Sequence, residues 1–317
     1  MPTITSQKFC NLLQEIHPIL ARENWPNEDF DKDATLWYNL QPALRFASQM
    51  LASTSSILWF THLVFGTPTC HPGRGLWYLE RTSKSFNIAA VDEAKQYLSV
   101  AAASTLKLRF GPTSGYGETR ASDVYLNESF RDYFSSGDRS DAQDIYTSFL
   151  LGVTIIHEVV HGVYHMRVIN EPRCLQRDAL INYHNHCEPF FTEADMGELL
   201  PGFDMGAELG WRLEMYLFGL GFHANLTSRH GARNMRHVSI LVSPACACPE
   251  VTRHESLAKF FQKSKWAQGL RRDLDPGVLR LVPPIHFDKD ADGNWNFMYV
   301  PEAALVDVSD GLFLRKL

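Results

Sequence analysis

The chain has 317 residues, of which 45% are hydrophobic and 21% charged, with a net charge of -6. This balance is typical of a globular protein, and the acidic charge argues against nucleic acid or an anionic membrane surface as the main partner. The N-terminus has neither a basic start nor an unbroken apolar core, and no stretch reaches the roughly 20 apolar residues that span a bilayer. With only six cysteines, we expect a cytoplasmic protein without a disulfide framework. These features do not indicate an oligomeric state.

The first part of the chain predicts a helical region over residues 1–80. Apolar residues at helical spacing predict one helix over 6–20 and another over 41–52, and a short apolar run follows at 57–65. Proline and glycine between residues 67 and 75 predict a loop. We expect this region to pack on the remainder of the chain as one compact unit.

The middle of the chain predicts two short strands between two helices. The glycines between the strands predict a loop, and the second helix is the longest and most regular apolar pattern in the chain. Ser140 and Gln143 fit a capping box at its start. In chain order, the predicted elements are a helix over 92–103, a strand over 106–110, a glycine-rich loop over 111–117, a strand over 124–126 and a helix over 141–168.

The last part of the chain completes a predicted catalytic domain over residues 81–317. A loop-rich region over 170–203 is followed by a helix over 207–220. An amphipathic helix is predicted over 256–270. Alternating apolar residues on both sides of an Asp-Gly turn predict a hairpin over 284–299.

The long predicted helix contains the motif His157-Glu158-x-x-His161. Residues four apart lie on one face of a helix with Cβ atoms about 5–6 Å apart, which lets two imidazoles bind one zinc ion. Glu158 lies next to the first histidine, where its carboxylate can take a proton from a zinc-bound water. Apolar neighbours surround these polar residues, which would be costly to bury without a partner. The motif therefore predicts a zinc site with Glu158 as general base.

His165 is a third histidine in the same run, but it lies about 12 Å along the helix axis from His157. One metal ion cannot bind both. The extended metzincin motif would need glycine and histidine where Tyr164 and Arg167 stand, so that class is excluded.

The third metal ligand is predicted on the later helix, over 207–220. Glu208 and Glu214 both qualify, and they lie roughly 120° apart around a helix. We favour Glu208, because Gly206 and Gly210 would allow its helix to approach the histidine helix closely. Glu214 is the alternative ligand, and as a non-ligand it is well placed to hydrogen-bond a ligand histidine.

These residues resemble a group of fungal HExxH proteins similar to gluzincin-type zinc metallopeptidases. The resemblance covers roughly residues 85–270. It departs from the group at Gly219-Leu220, where a second glycine is expected. Its motifs are His157-Glu158-x-x-His161, Glu188-Pro189-Phe190-Phe191, Glu208-x-Gly210 with Glu214, Phe218-Gly219, Phe260-Phe261 and Trp266.

The resemblance implies an α+β, mostly helical, zincin-like fold. In that fold an active-site helix packs against a second helix bearing a glutamate ligand and against a small twisted sheet. The edge strand of the sheet would line the cleft, and Val124 to Leu126 is the segment that we expect there. A peptide could add to this edge through backbone hydrogen bonds. Members of this class also hold the oxyanion with a Tyr or His, for which His223, His237 and Tyr164 are candidates.

The sequence thus predicts a zinc metallopeptidase-like hydrolase with one Zn²⁺ per chain that cleaves a peptide or amide bond. The alternative is a zinc enzyme of small-molecule biosynthesis that uses the same site on a non-peptide substrate. A third hypothesis is a non-enzymatic binding module stabilised by zinc. Glu158 argues against the third, because a purely structural site needs no general base.

Overall fold

The computed structural model describes residues 9–70, 77–80, 88–113, 115–137, 139–170, 209–218, 220–225, 239–244, 250–251, 257–266, 285–289 and 295–299. This part of the chain is mostly helical. The helices are α1 (Asn27–Lys32), α2 (Leu36–Leu51), α3 (Thr54–Phe65), α4 (Ile88–Gln96), α5 (Ala103–Thr105), α6 (Glu128–Ser135), α7 (Asp141–Asn170), α8 (Leu209–Phe218) and α9 (Lys263–Trp266). The strands are β1 (Thr67–Cys70), β2 (Trp77–Glu80), β3 (Lys107–Gly111), β4 (Gly117–Arg120), β5 (Asp123–Asn127), β6 (Leu220–Asn225), β7 (Ser239–Pro244), β8 (Glu250–Val251), β9 (Ile285–Lys289) and β10 (Trp295–Tyr299).

Helix α7 lies at the centre of the core. It spans 30 residues, and the backbone N–H of Gln143 donates to Ser140 Oγ at 3.3 Å, so the predicted helix and its cap are confirmed. Apolar residues occur around most of its circumference because neighbouring elements pack on several sides. By length and composition α7 could cross a membrane, but 83% of its most apolar window is buried, as is typical of a core helix.

Helices α2 and α3 pack against α7 from the N-terminal region. The rings of Phe46 and Phe149 stack with centroids 5.1 Å apart at the crossing of α2 and α7. Helix α2 begins earlier than predicted, at Leu36, and contains Pro42 in its interior. The apolar run at 57–65 belongs to α3, where the Ser53 hydroxyl accepts a hydrogen bond from the Ser56 N–H.

A three-stranded sheet of β3, β5 and β4 packs beside α7. Strand β5 lies in the middle, parallel to β3 and antiparallel to β4. The expectation that Val124 to Leu126 forms the edge strand was therefore wrong, although both predicted strands exist. The outer strands of this sheet are β3 and β4, and β4 begins at Gly117 inside the predicted glycine-rich loop. Its hairpin with β5 turns at Ala121, which has a left-handed φ of 55°.

Two predictions for the N-terminal region were wrong. Within 9–20 only Pro18–Leu20 is helical, as a 3₁₀ turn, and Leu12 is buried from an irregular segment. Tertiary hydrogen bonds hold that segment, including one from the Arg45 guanidinium to the Gln14 carbonyl at 2.8 Å. The predicted loop at 67–75 begins as β1, which pairs with β2. Residues 71–76 lie outside the described part of the chain.

The C-terminal predictions were right in part. Helix α8 falls within the predicted 207–220, and β9 pairs with β10 in the predicted hairpin. Within the described residues 257–266, the helix predicted over 256–270 is interrupted: residues 257 and 258 are helical, Lys259–Phe261 form a 3₁₀ turn, and α9 follows. Gln262 is extended between them. Phe260 and Phe261, the last two residues of the 3₁₀ turn, are both buried.

Candidate metal centre

Helix α7 places His157 and His161 side by side. Their ring centroids are 5.4 Å apart, with an angle of 53° between the ring planes. Both side chains are half-buried. The structure therefore brings the two histidines of the motif together on one face of α7, as the helical spacing predicts.

Gly210 is the point at which α8 contacts His157. A Cβ atom added to Gly210 would lie 2.3 Å from both Cγ and Cδ2 of the His157 ring. Real Cβ atoms do not approach other atoms so closely, so a side chain at this position would displace the ring or the helix. The predicted role of Gly210 in close helix packing is confirmed. Gly206 lies outside the described residues.

Glu214 lies one helical turn after Gly210 and contacts the same histidine. Its Oε1 atom is 2.8 Å from His157 Nδ1, and the glutamate is buried. This contact favours the tautomer that carries its proton on Nδ1, so Nε2 is the nitrogen that His157 would present to a metal ion. The position is the one expected of a residue that orients a ligand histidine. Glu208, the favoured third ligand, lies outside the described residues.

Glu158 lies between the two histidines in sequence and faces strand β4. The Thr119 hydroxyl is 2.8 Å from Glu158 Oε2 and 2.9 Å from the Glu158 backbone oxygen. A Cβ atom added to Gly117 would lie 2.6 Å from Glu158 Cγ and 2.8 Å from Oε1. Strand β4 can therefore come this close to Glu158 because Gly117 has no side chain. Neither β4 residue was predicted to belong to the site. The sequence offers one sign of this contact, namely that Gly117 and Thr119 are small residues two positions apart and so would face the same side of a strand.

The two histidines fit a shared zinc ion. With Zn–N distances of about 2.0–2.1 Å and tetrahedral angles, the two ring centroids would lie about 5 Å apart. The observed separation is 5.4 Å. Glu158 and Glu214 are each only 6% exposed, and a divalent cation close to them would offset the cost of burying a carboxylate. Among the described residues, no group of three or more His, Cys, Asp or Glu side chains is arranged to hold a metal ion.

The remaining candidates fall in different places. Tyr164 is buried in the core with 1% exposure, which favours packing over contact with a substrate. His223 is on β6, opposite Leu241 of β7. His165 is half-buried near the C-terminal end of α7. His237 and the segment 188–191 lie outside the described residues.

Comparison with known proteins gives no match: neither a family model, nor a curated protein, nor a solved structure matches the chain. The resemblance to fungal gluzincin-type proteins accordingly stays a prediction from the motifs.

Proposed function

We propose that this protein is a zinc-dependent hydrolase in which His157 and His161 bind one zinc ion and Glu158 is the general base. The observation that carries the proposal is the juxtaposition of two half-buried imidazoles, whose ring centroids are 5.4 Å apart, with a buried glutamate that follows the first of them in sequence. Glu214 supports it further, because a carboxylate at the Nδ1 atom of a histidine is the usual support of a metal ligand.

The roles of the residues follow from their contacts. His157 binds through Nε2, with its ring orientation fixed by Glu214 at Nδ1. Bound zinc would lower the pKa of a coordinated water and polarise the substrate carbonyl. Glu158 accepts the proton of the attacking water and returns it to the leaving nitrogen, so that the carboxylate is restored after each turnover. Glu208 is proposed as the third ligand and Glu214 as its alternative.

A peptide or amide substrate is favoured by the position of β4. Among the described strands, β4 pairs with β5 alone, and it passes directly beside Glu158. A strand edge at the general base can hold an extended peptide by backbone hydrogen bonds next to the group that activates the water. We therefore place peptides ahead of small-molecule substrates.

Metal content tests the ligand assignment. Purified protein should carry about one zinc per chain, and His157→Ala and His161→Ala should lose it. His165→Ala is the matched control, because it removes a half-buried histidine from the same helix too far along the axis to share the ion. Elemental analysis of the four proteins decides the matter. Zinc-free parent protein, or equal zinc content in the parent and His157→Ala, would overturn the assignment.

Turnover tests the base and the substrate class. The zinc-loaded protein should cleave members of a peptide library, read out by mass spectrometry. Glu158→Gln should retain zinc and lose activity by about 100- to 10,000-fold, because the amide cannot accept the proton. Undiminished cleavage by Glu158→Gln would remove this residue from the mechanism. A zinc-bound parent that cuts no peptide would transfer the proposal to small-molecule substrates.

A further inference from the structure

Strand β4 contacts the carboxylate of Glu158 through two residues on one of its faces. Gly117 and Thr119 alternate along the strand and therefore face the same side, toward α7. Gly117 allows the backbone to come close, and Thr119 places its hydroxyl 2.8 Å from Oε2 and 2.9 Å from the backbone oxygen of the same glutamate. One hydroxyl thus has two acceptors within reach on a single residue.

This arrangement limits the movement of the Glu158 side chain. A carboxylate oxygen and a backbone carbonyl oxygen both accept hydrogen bonds, and the Thr119 hydroxyl lies within reach of one of each on the same glutamate. The hydroxyl therefore ties the carboxylate to a fixed point on β4 and to the backbone of its own residue.

We propose that Thr119 is a positioning residue for the general base and that its hydroxyl holds the Glu158 carboxylate in one orientation beside β4. The inference rests on the proposed function of Glu158. The proton itself passes from the reacting water to Glu158 and on to the leaving group, and Thr119 undergoes no net gain or loss. Because a buried carboxylate needs hydrogen-bond donors in any case, the experiment must separate this role from a purely structural one.

Three variants make that separation. Thr119→Val keeps the shape but removes the hydroxyl, and Thr119→Ser keeps the hydroxyl but removes the methyl group. Thr154→Val is the matched control, since Thr154 is a buried threonine of α7 whose methyl group faces the same glycine, Gly117. We expect Thr119→Val to lower kcat about 10- to 100-fold with little change in KM or zinc content, and Thr119→Ser to restore most of kcat. Thr154→Val should behave as the parent does.

A second measurement needs neither metal nor substrate. In metal-free protein, the thermal midpoints of Thr119→Val, Glu158→Leu and the double variant form a double-mutant cycle. If the hydroxyl and the carboxylate interact, Thr119→Val should lower Tm less in the Glu158→Leu background than in the parent. Additive shifts would overturn the contact, whatever the protein catalyses.

The remaining outcomes are separable. The positioning role would be overturned if Thr119→Ser had a kcat as low as that of Thr119→Val. It would also be overturned if Thr119→Val changed only KM and left kcat unaffected. A parent that binds no zinc would overturn the proposed function, and the catalytic role of Thr119 with it, while the cycle in metal-free protein would still report on the contact.

Discussion

Gly210→Ala is the most direct test of how α8 builds the metal centre. The added Cβ would lie 2.3 Å from two atoms of the His157 ring and 2.4 Å from Nδ1. Carbon atoms in ordinary contact are about 3.5–4.0 Å apart, so the ring or the helix must move by about 1 Å. Metal–ligand distances tolerate deviations of only about 0.2 Å. The displacement also disturbs the contact between Nδ1 and Glu214.

The expected effect is a fall in zinc affinity of at least about 100-fold, which corresponds to about 2.7 kcal/mol of binding free energy. Alanine raises helix propensity by about 1 kcal/mol relative to glycine, which partly offsets the overpacking cost of about 1–3 kcal/mol in the free energy of unfolding. Zinc affinity should therefore change more than stability. Competition with a chromophoric chelator measures the first, and urea unfolding of the metal-free protein measures the second.

Gly152→Ala is the matched control. A Cβ added there would lie 2.4 Å from Phe46 Cδ1 at the crossing of α2 and α7, so its closest contact is nearly as short as the 2.3 Å contact at Gly210. It should destabilise the protein while leaving zinc affinity close to that of the parent. A Gly210→Ala protein that binds zinc as tightly as the parent would refute the reasoning. Equal losses of zinc in both variants would attribute the effect to general destabilisation.

Three further predictions concern Gly117, the proposed third ligand and His17. Gly117→Ala should keep zinc but lose turnover, because the new Cβ would lie 2.6 Å from Glu158 Cγ. Metal analysis and a peptide-cleavage assay on the same sample check this prediction, and unchanged cleavage would contradict it. Glu208→Ala should weaken zinc binding more than Glu214→Ala does, and the reverse order in chelator titrations would make Glu214 the ligand. Burial lowers the pKa of His17 from 6.5 to about 4. The stability that depends on a neutral His17 is therefore fully present above pH 6.5. As the pH falls toward 4, the free energy of unfolding decreases by about 1.4 kcal/mol per unit of pH. His17→Gln should flatten this dependence in urea unfolding at pH 5 and 7, and an unchanged slope would exclude His17 as its source.

Local patterns predicted the parts of the site that lie on single helices. The spacing of His157 and His161 fixes their relative position once the helix forms, and the residues around them carry the apolar pattern that makes α7 a core helix. The contact between Glu214 and His157 also follows from simple spacing, because Glu214 lies one turn after the glycine at which the helices meet. The identity of the third ligand stays a prediction.

The parts contributed by the sheet could not be predicted in the same way. Thr119 contacts Glu158 across 39 positions of sequence. Glycines near β4 weaken its strand pattern, and its strand character comes from pairing with β5. The same holds for the N-terminal segment around Leu12, whose apolar spacing suits a helix but whose burial is achieved from an irregular segment held by tertiary hydrogen bonds. In both places tertiary contacts decide the local structure.

The two glycine contacts also divide the site into separable functions. Helix α7 is approached at His157 by α8, through Gly210, and at Glu158 by β4, through Gly117. The first contact supports the proposed metal ligand and the second supports the proposed base, yet the two residues are adjacent in sequence. Because each contact belongs to a different packing element, damage to one need not reach the other. Loss of zinc in Gly210→Ala together with loss of turnover alone in Gly117→Ala would therefore assign the two halves of the proposed mechanism to two different interfaces of one helix.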